Sequence, residues 1–136
     1  RMTQYAREEG VRDRVEFRGY REDVQSQYRE ADLLLIPSRW EGLSVTAIEA
    51  TAMGVPVVGS RIGGIEEVVK HGATGFTCRP EDENTFAQHI KRLMHDPELY
   101  QRCSENGIRR VQNHFTPVSA FEAYETVYRR CYEFLK

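Results

Sequence analysis

The chain has 136 residues, 40% of them hydrophobic and 29% charged, which suits one domain with a single core. Its formal net charge of −2 gives no global reason to expect nucleic-acid binding, and it has no run of about 18 apolar residues that would span a membrane. Cys78, Cys103 and Cys131 lie too far apart for the close pairs of a metal site, so we expect reduced packing residues of a cytoplasmic protein.

The first thirty residues predict two helices around a short strand. Met2 to Glu9 is a predicted helix that closes at Gly10, a suitable residue for the position after a helix end. Alternation from Val15 to Phe17 predicts a short strand that ends at Gly19. The segment Glu22 to Glu30 predicts a polar helix.

A strand, a loop and a helix in the next part of the chain organise the rest. Leu33 to Ile36, closed by Pro37, predicts a strand buried on both faces, at or near the centre of a parallel sheet. A loop with Gly42 follows. Ser44 is the predicted N-cap of a helix that meets no breaker before Gly54.

One side of this helix carries a charge. At about 100° per residue, Val45, Ile48, Glu49 and Ala52 share a side, and the other positions are small. We therefore expect the helix to be packed all round and Glu49 to lie on a buried stripe. A buried carboxylate needs protein donors or a ligand that supplies hydroxyl groups.

A second carboxylate, Glu41, lies in the loop at the carboxyl end of the strand. Ligands of open α/β sheets bind at that edge, and the free N–H groups of a helix start, here around Leu43 to Ala47, attract anions. Glu41 and Glu49 therefore bracket a predicted anion site. A ligand with hydroxyls at both ends and phosphate between them, such as a nucleotide-sugar, fits this arrangement.

Short elements follow the helix. Val55 to Ser60 and Phe76 to Cys78 predict strands, the second at an edge of the sheet, and Ile65 to Lys70 predicts a short helix between them. Gly63-Gly64 is open to two interpretations, a phosphate contact or a plain tight turn. His71 lies on a predicted surface turn and is expected to be solvated, and the four histidines share no ligand spacing, so we expect no metal site.

The remainder predicts three helices, which begin at Asp82, Asp96-Pro97 and Thr116-Pro117. The first two have these apolar faces: Phe86, Ile90, Leu93 and Met94, then Leu99, Cys103 and Val111. The last helix, about residues 117–135, has this face: Val118, Phe121, Tyr124, Tyr128, Cys131 and Leu135. Such a stripe is more typical of a core than of a partner site.

The two glutamates belong to an ordered set of segments. Glu41 and Glu49 are preceded by Pro37-Ser38 and followed by the apolar and glycine-containing segments 52–58 and 63–69. From about residue 15 to residue 115, this set resembles the carboxyl-terminal domain of retaining glycosyltransferases of family 4 (glycosyl transferases group 1, GT-B fold).

The resemblance implies an α/β fold: a Rossmann-like three-layer domain with a parallel sheet flanked by helices, the C-terminal half of a GT-B fold truncated at its N-terminus. Residues 1–136 would be a single-domain fragment that is inactive alone. Its last helix would pack back toward an absent N-terminal domain, which would bind the acceptor. Peripheral membrane association of the full-length enzyme is compatible with this resemblance.

The resemblance also implies site residues for a nucleotide diphosphate sugar, which is a donor substrate and requires no cofactor. Glu41 would be the catalytic residue that contacts the donor sugar, and Glu49 would bind the ribose hydroxyls. The other implied donor contacts are Gly42, Leu43 and Ser44 around the diphosphate, Tyr20 and Arg21 at the nucleobase, and Ser38. A plain turn at Gly19, with Tyr20 covering the core, is an equal alternative at the nucleobase position.

Other functions and some departures stay open. A nucleotide- or sugar-binding module without chemistry, and a sugar-nucleotide epimerase or phosphorylase of the same architecture, are the alternatives. Leu43-Ser44 stands where many members have Phe-Gly, and Glu66 where many have Pro. Arg39 and Arg61 do not match the Arg and Lys that neutralise the diphosphate in this family.

Overall fold

The computed structural model describes residues 2–134, which form a three-stranded parallel sheet, seven α-helices and a 3-10 turn at Arg12–Arg14. The helices and strands in chain order are α1 (Met2–Glu8), α2 (Val24–Glu30), β1 (Leu34–Ile36), α3 (Val45–Ala52), β2 (Val57–Ser60), α4 (Gly63–Val68), β3 (Gly75–Cys78), α5 (Glu83–His95), α6 (Pro97–His114) and α7 (Pro117–Phe134).

The sheet has the order β1-β2-β3 with both pairs parallel. Val57 and Val58 are adjacent in β2 and fully buried in two different apolar clusters. Since successive residues of a strand point to opposite faces, each cluster lies on one face of the sheet. Residues of α3 and α4 belong to the first cluster and residues of α5 and α6 to the second, which confirms the predicted three-layer α/β fold.

The prediction that β1 lies at or near the centre of the sheet and is buried on both faces is wrong for the described residues. β1 pairs with β2 alone and is an edge strand, and Leu35 is 44% exposed. Leu34 and Ile36 pack on the first cluster. Val58, the register partner of Leu35, is buried under α5 and α6, and this cover does not extend over Leu35.

The predicted strand from Val15 to Phe17 is also absent from the described structure. The chain makes the 3-10 turn and then runs without regular structure, and Phe17 is exposed. A strand requires a partner for its backbone hydrogen bonds, and the described sheet ends at β1. Arg18 ties the segment to α2 instead, through hydrogen bonds to Gln27 and to Glu30 at 3.2 Å.

Local capping signals were accurate. Gly10 adopts φ 68° after α1, as expected for a residue that closes a helix. The side chains of Asp82, Asp96 and Thr116 accept hydrogen bonds from the backbone N–H groups three residues later, at 3.1, 2.9 and 3.1 Å. The bounds of α2, α4, β2 and β3 differ from the predicted ones by one or two residues, which is the usual uncertainty at the ends of helices and strands.

The aromatic face of α7 is not a core. No described residue of this helix is buried, and Phe121 is 70% exposed. Leu135 lies outside the described residues. On α5, Met94 is exposed as well, whereas Phe86 and Leu93 are buried. That α7 packs against another domain stays a prediction.

His71 is exposed, as predicted, and it also makes contacts within the protein. Its Nδ1 accepts a hydrogen bond from the Thr77 backbone N–H at 3.2 Å, and its ring meets the edges of Phe76 and His89 at 5.3 Å between centroids. The His89 ring stacks on Phe76 at 4.3 Å. Burial lowers the pKa of His89, and the neighbouring His71 and Arg92 lower it further.

Because the folded state disfavours protonated His89, the unfolded state binds more protons in acid. We expect His89 to contribute stability above its unfolded pKa of 6.5 and to lose that contribution as the pH falls through and below this value. Urea unfolding at pH 7.5 and pH 5.5 measures the loss. The variant His89→Phe should lose less stability over this interval, and an equal loss in both proteins would contradict the assignment.

Candidate functional site

The carboxyl ends of β1, β2 and β3 meet at one edge of the sheet, where open α/β sheets bind ligands. Contacts between the following loops hold this edge together. Arg39, after β1, forms an ion pair with Glu81, after β3, at 2.7 Å. Arg61, after β2, donates from its backbone N–H to the Cys78 carbonyl at 2.5 Å and from Nη2 to the Thr77 carbonyl at 3.4 Å.

The N-terminus of α3 lies at this edge, after the loop that follows β1. The Ser44 hydroxyl accepts a hydrogen bond from the Ala47 N–H at 3.4 Å, which confirms Ser44 as the N-cap. The hydroxyl is used by this cap, and Ser44 as a whole is only 1% exposed. Gly42 and Leu43 are exposed beside the free N–H groups of the first helical turn, which suits a phosphate.

Gly64 lets α4 approach this loop very closely. A Cβ built on Gly64 would lie 1.2 Å from the Gly42 carbonyl oxygen and 2.3 Å from its carbon, whereas a Cβ on Gly63 meets nothing within 4 Å. Gly64 itself is buried. Packing against Gly42 therefore explains why position 64 requires a glycine. The same contact fixes the position of the peptide between Gly42 and Leu43.

The side of α3 that carries Glu49 is not the buried side, contrary to the prediction. The buried side consists of Ala47, Ala50 and Thr51, while Val45 and Glu49 are exposed. Small side chains allow α3 to pack closely on the sheet and α6, and the bulkier side is left outside. The prediction that Glu49 lies on a buried stripe is therefore wrong, and the carboxylate is accessible to a ligand.

A buried tyrosine holds the Glu49 carboxylate. The Tyr28 hydroxyl, from α2, donates to Glu49 Oε2 at 3.1 Å, and Tyr28 is 5% exposed. Burial, together with the adjacent carboxylate, raises the pKa of Tyr28 to about 12. The hydroxyl therefore remains a donor at neutral pH. Sequence reasoning missed Tyr28, because the two residues lie 21 positions apart and no motif links them.

Glu41 is exposed in the loop between β1 and α3. The Ser38 hydroxyl donates to Glu41 Oε2 at 3.5 Å, so the structure brings these two predicted site residues together. Tyr20 and Arg21 lie in the irregular segment before α2, and Tyr20 is 89% exposed. Covering the core is thus excluded for Tyr20, and its contact with a nucleobase stays a prediction.

Three further features of the described residues concern metal ligands, cysteines and membrane-spanning helices. Residues 2–134 contain no group of three or more His, Cys, Asp or Glu side chains that could hold a metal ion. The three cysteines are unpaired, and burial raises the pKa of the Cys78 and Cys103 thiols. No helix between residues 2 and 134 is both long and apolar enough to cross a membrane.

Comparison with known proteins decides the family. The sequence matches the family described as glycosyl transferases group 1 over residues 1–110. The chain belongs to this family. One relative is N-acetyl-alpha-D-glucosaminyl L-malate synthase from Bacillus anthracis, 36% identical over 118 residues, which are 87% of this chain and 31% of that protein.

Solved structures of glycosyltransferases have the same fold. Sucrose-phosphate synthase from Thermosynechococcus elongatus superposes with a TM-score of 0.87 and 32% identity, over 98% of this chain and 34% of that protein. Anabaena HepE, solved in complex with UDP, superposes with a TM-score of 0.87 and 27% identity over 94% of this chain and 36% of that protein. These neighbours confirm the expected GT-B relationship, and the chain spans only a minor part of each.

Proposed function

We propose that this chain is the donor-binding part of a retaining glycosyltransferase of family 4. The full-length enzyme would move a sugar from a nucleotide diphosphate sugar to a glycan, lipid or small-molecule acceptor, with retained anomeric configuration. A separate domain would bind the acceptor. The isolated chain would be inactive, because transfer requires donor and acceptor to be held together in a cleft.

One observation carries this proposal: two accessible carboxylates flank the open start of α3 at the carboxyl edge of the sheet. Glu49 is the fifth residue of α3, which begins at Val45, and Glu41 lies in the loop just before the helix. The backbone of Gly42, Leu43 and Ser44 would hold the diphosphate, since amide N–H groups at a helix start bind anions. Glu49 would accept hydrogen bonds from the ribose hydroxyls, and Glu41 would stabilise the charge that develops on the sugar during transfer.

The remaining assignments extend this site outward. Ser38, which bonds to Glu41, would line the sugar end, and Tyr20 with Arg21 would read the nucleobase through backbone groups. The complex of HepE with UDP supports a nucleotide ligand in a protein of this fold. Arg39 and Arg61 receive no role in this proposal, because Arg39 pairs with Glu81 and Arg61 with the Thr77 carbonyl. We place the enzyme in the cytoplasm, with peripheral membrane association as an option.

The alternatives are a nucleotide- or sugar-binding module without chemistry and an epimerase or phosphorylase of the same architecture. Mass spectrometry separates them. The full-length protein is incubated with UDP-, GDP- and ADP-sugars and an acceptor library, and products are screened for added hexose mass. NMR of the product then reports the anomeric configuration. A glycosylated product with the donor's configuration supports the proposal, while donor binding without any product supports the binding module.

The variant Glu41→Gln tests, in the same assay, whether Glu41 is the catalytic residue. We expect sugar transfer to fall about 100-fold, because an electrostatic stabiliser of the transition state is lost. Donor affinity should stay within about threefold, since a glutamine of the same shape still accepts a hydrogen bond. The exposed Glu105 on α6 offers a matched control, Glu105→Gln, with unchanged activity expected. Full transfer activity in Glu41→Gln would remove the catalytic assignment.

A further inference from the structure

We propose that Tyr28 is a positioning residue, which orients the Glu49 carboxylate for the ribose diol and makes the site select ribose over deoxyribose. This inference rests on the proposed function, because it requires a nucleotide ligand at Glu49. Its structural basis is the hydrogen bond of 3.1 Å between the Tyr28 hydroxyl and Glu49 Oε2, which joins α2 to α3 next to the open helix start.

Tyr28 is a rigid anchor. Its ring belongs to the apolar cluster with Ala47 and Ala50 of α3 and with Ile36 of β1. Two side-chain torsion angles set the orientation of a tyrosine ring, and close packing of the ring fixes both angles. The hydroxyl therefore has a set position relative to the α3 backbone, although its partner Glu49 is exposed.

Glu49 alone would be poorly ordered. A glutamate on an exposed helix face samples several rotamers, and fixing one of them on ligand binding costs side-chain entropy. The bond from Tyr28 selects one orientation before the ligand arrives, and such preorganisation raises affinity. The neutral hydroxyl persists at working pH, since the pKa of Tyr28 is raised to about 12.

The hydrogen-bonding capacity of the pair also fits a diol. The Tyr28 hydroxyl donates one hydrogen bond, and a carboxylate can accept about four. Both oxygens of Glu49 therefore retain acceptor capacity for two neighbouring hydroxyl groups. Two simultaneous bonds demand a fixed carboxylate plane, whereas a single hydroxyl can follow a carboxylate that rotates. Loss of the Tyr28 hydroxyl should thus weaken the binding of ribonucleotides more than the binding of 2′-deoxyribonucleotides.

Calorimetric titration of the full-length protein tests this, with UDP, GDP and ADP and with their 2′-deoxy counterparts as probes. We expect the wild type to prefer the ribonucleotide of its base by about tenfold or more, the value of one charged hydrogen bond. Tyr28→Phe, which keeps the packed ring, should reduce that preference to within about threefold. The control Tyr5→Phe alters an exposed tyrosine on α1 and should leave it unchanged.

A double-mutant cycle identifies the route of the effect. In the background Glu49→Gln, adding Tyr28→Phe should not change the ribose preference further, if Tyr28 acts through Glu49. Thermal melts of all variants monitor folding. The positioning role is overturned if Tyr28→Phe keeps the full preference for ribose, or if it weakens the binding of ribonucleotides and 2′-deoxyribonucleotides equally. Either result leaves the proposed function intact. If the wild type binds none of these nucleotides, the positioning role and the proposed function are both overturned.

Discussion

Replacement of Glu49 by Gln is expected to weaken nucleotide-diphosphate binding by about 1 to 3 kcal/mol, or roughly 5- to 150-fold, in the full-length protein. A carboxylate accepts hydrogen bonds from both hydroxyls of a ribose diol, whereas an amide offers one acceptor oxygen and one donor nitrogen. One hydroxyl contact should therefore be lost or become repulsive. Isothermal titration of the wild type and Glu49→Gln with the preferred nucleotide measures the difference.

The same variant separates a binding role from a structural one. Glu49 is exposed, and its amide replacement still provides an acceptor for the Tyr28 hydroxyl, so we expect the melting temperature to change little. If Glu49 served only to pair with Tyr28, stability would fall and nucleotide affinity would not. Equal affinities for wild type and Glu49→Gln would end the functional assignment of this residue.

Replacement of Gly64 by Ala should damage both the fold and the site. The added Cβ would overlap the Gly42 carbonyl oxygen at 1.2 Å, and a backbone atom cannot rotate away. Either α4 or the loop between β1 and α3 must move, at a cost of about 1 to 3 kcal/mol or more in the free energy of unfolding. Because the backbone of Gly42 and Leu43 forms part of the proposed diphosphate site, donor affinity should fall as well.

The neighbouring glycine supplies the control. A Cβ on Gly63 meets nothing within 4 Å, so Gly63→Ala should leave stability and donor binding nearly unchanged. Urea unfolding and nucleotide titration of the two variants, side by side, make the comparison. Equal behaviour of Gly63→Ala and Gly64→Ala would show that the close backbone contact has no role in the site.

Features that depend on a few adjacent residues could be predicted from the sequence. The helix starts at Ser44, Asp82, Asp96 and Thr116 follow from a short polar side chain that caps the next turn, and this chemistry is local. The parallel sheet followed from apolar segments alternating with helical ones. The places of Glu41 in the loop and of Glu49 in α3 could be predicted as well, because both follow from one strand–loop–helix unit.

Features that depend on distant partners could not be predicted. Residues 15–17 have a strand pattern, but the described sheet offers them no partner. The two sides of α3 are both apolar enough to be buried, and only packing against the sheet and α6 decides between them. Tyr28 and Gly64 reach Glu49 and Gly42 across 21 and 22 residues of chain, so their roles required the folded structure.

Hydrogen–deuterium exchange of the full-length protein, with and without UDP-, GDP- and ADP-sugars, tests the central claim most directly. If the start of α3 holds the donor diphosphate, the donor that binds should slow exchange of the backbone amides in residues 42–47, which include exposed Gly42 and Leu43. Donor binding that leaves exchange in residues 42–47 unchanged and protects a different segment would contradict the site proposed for this chain.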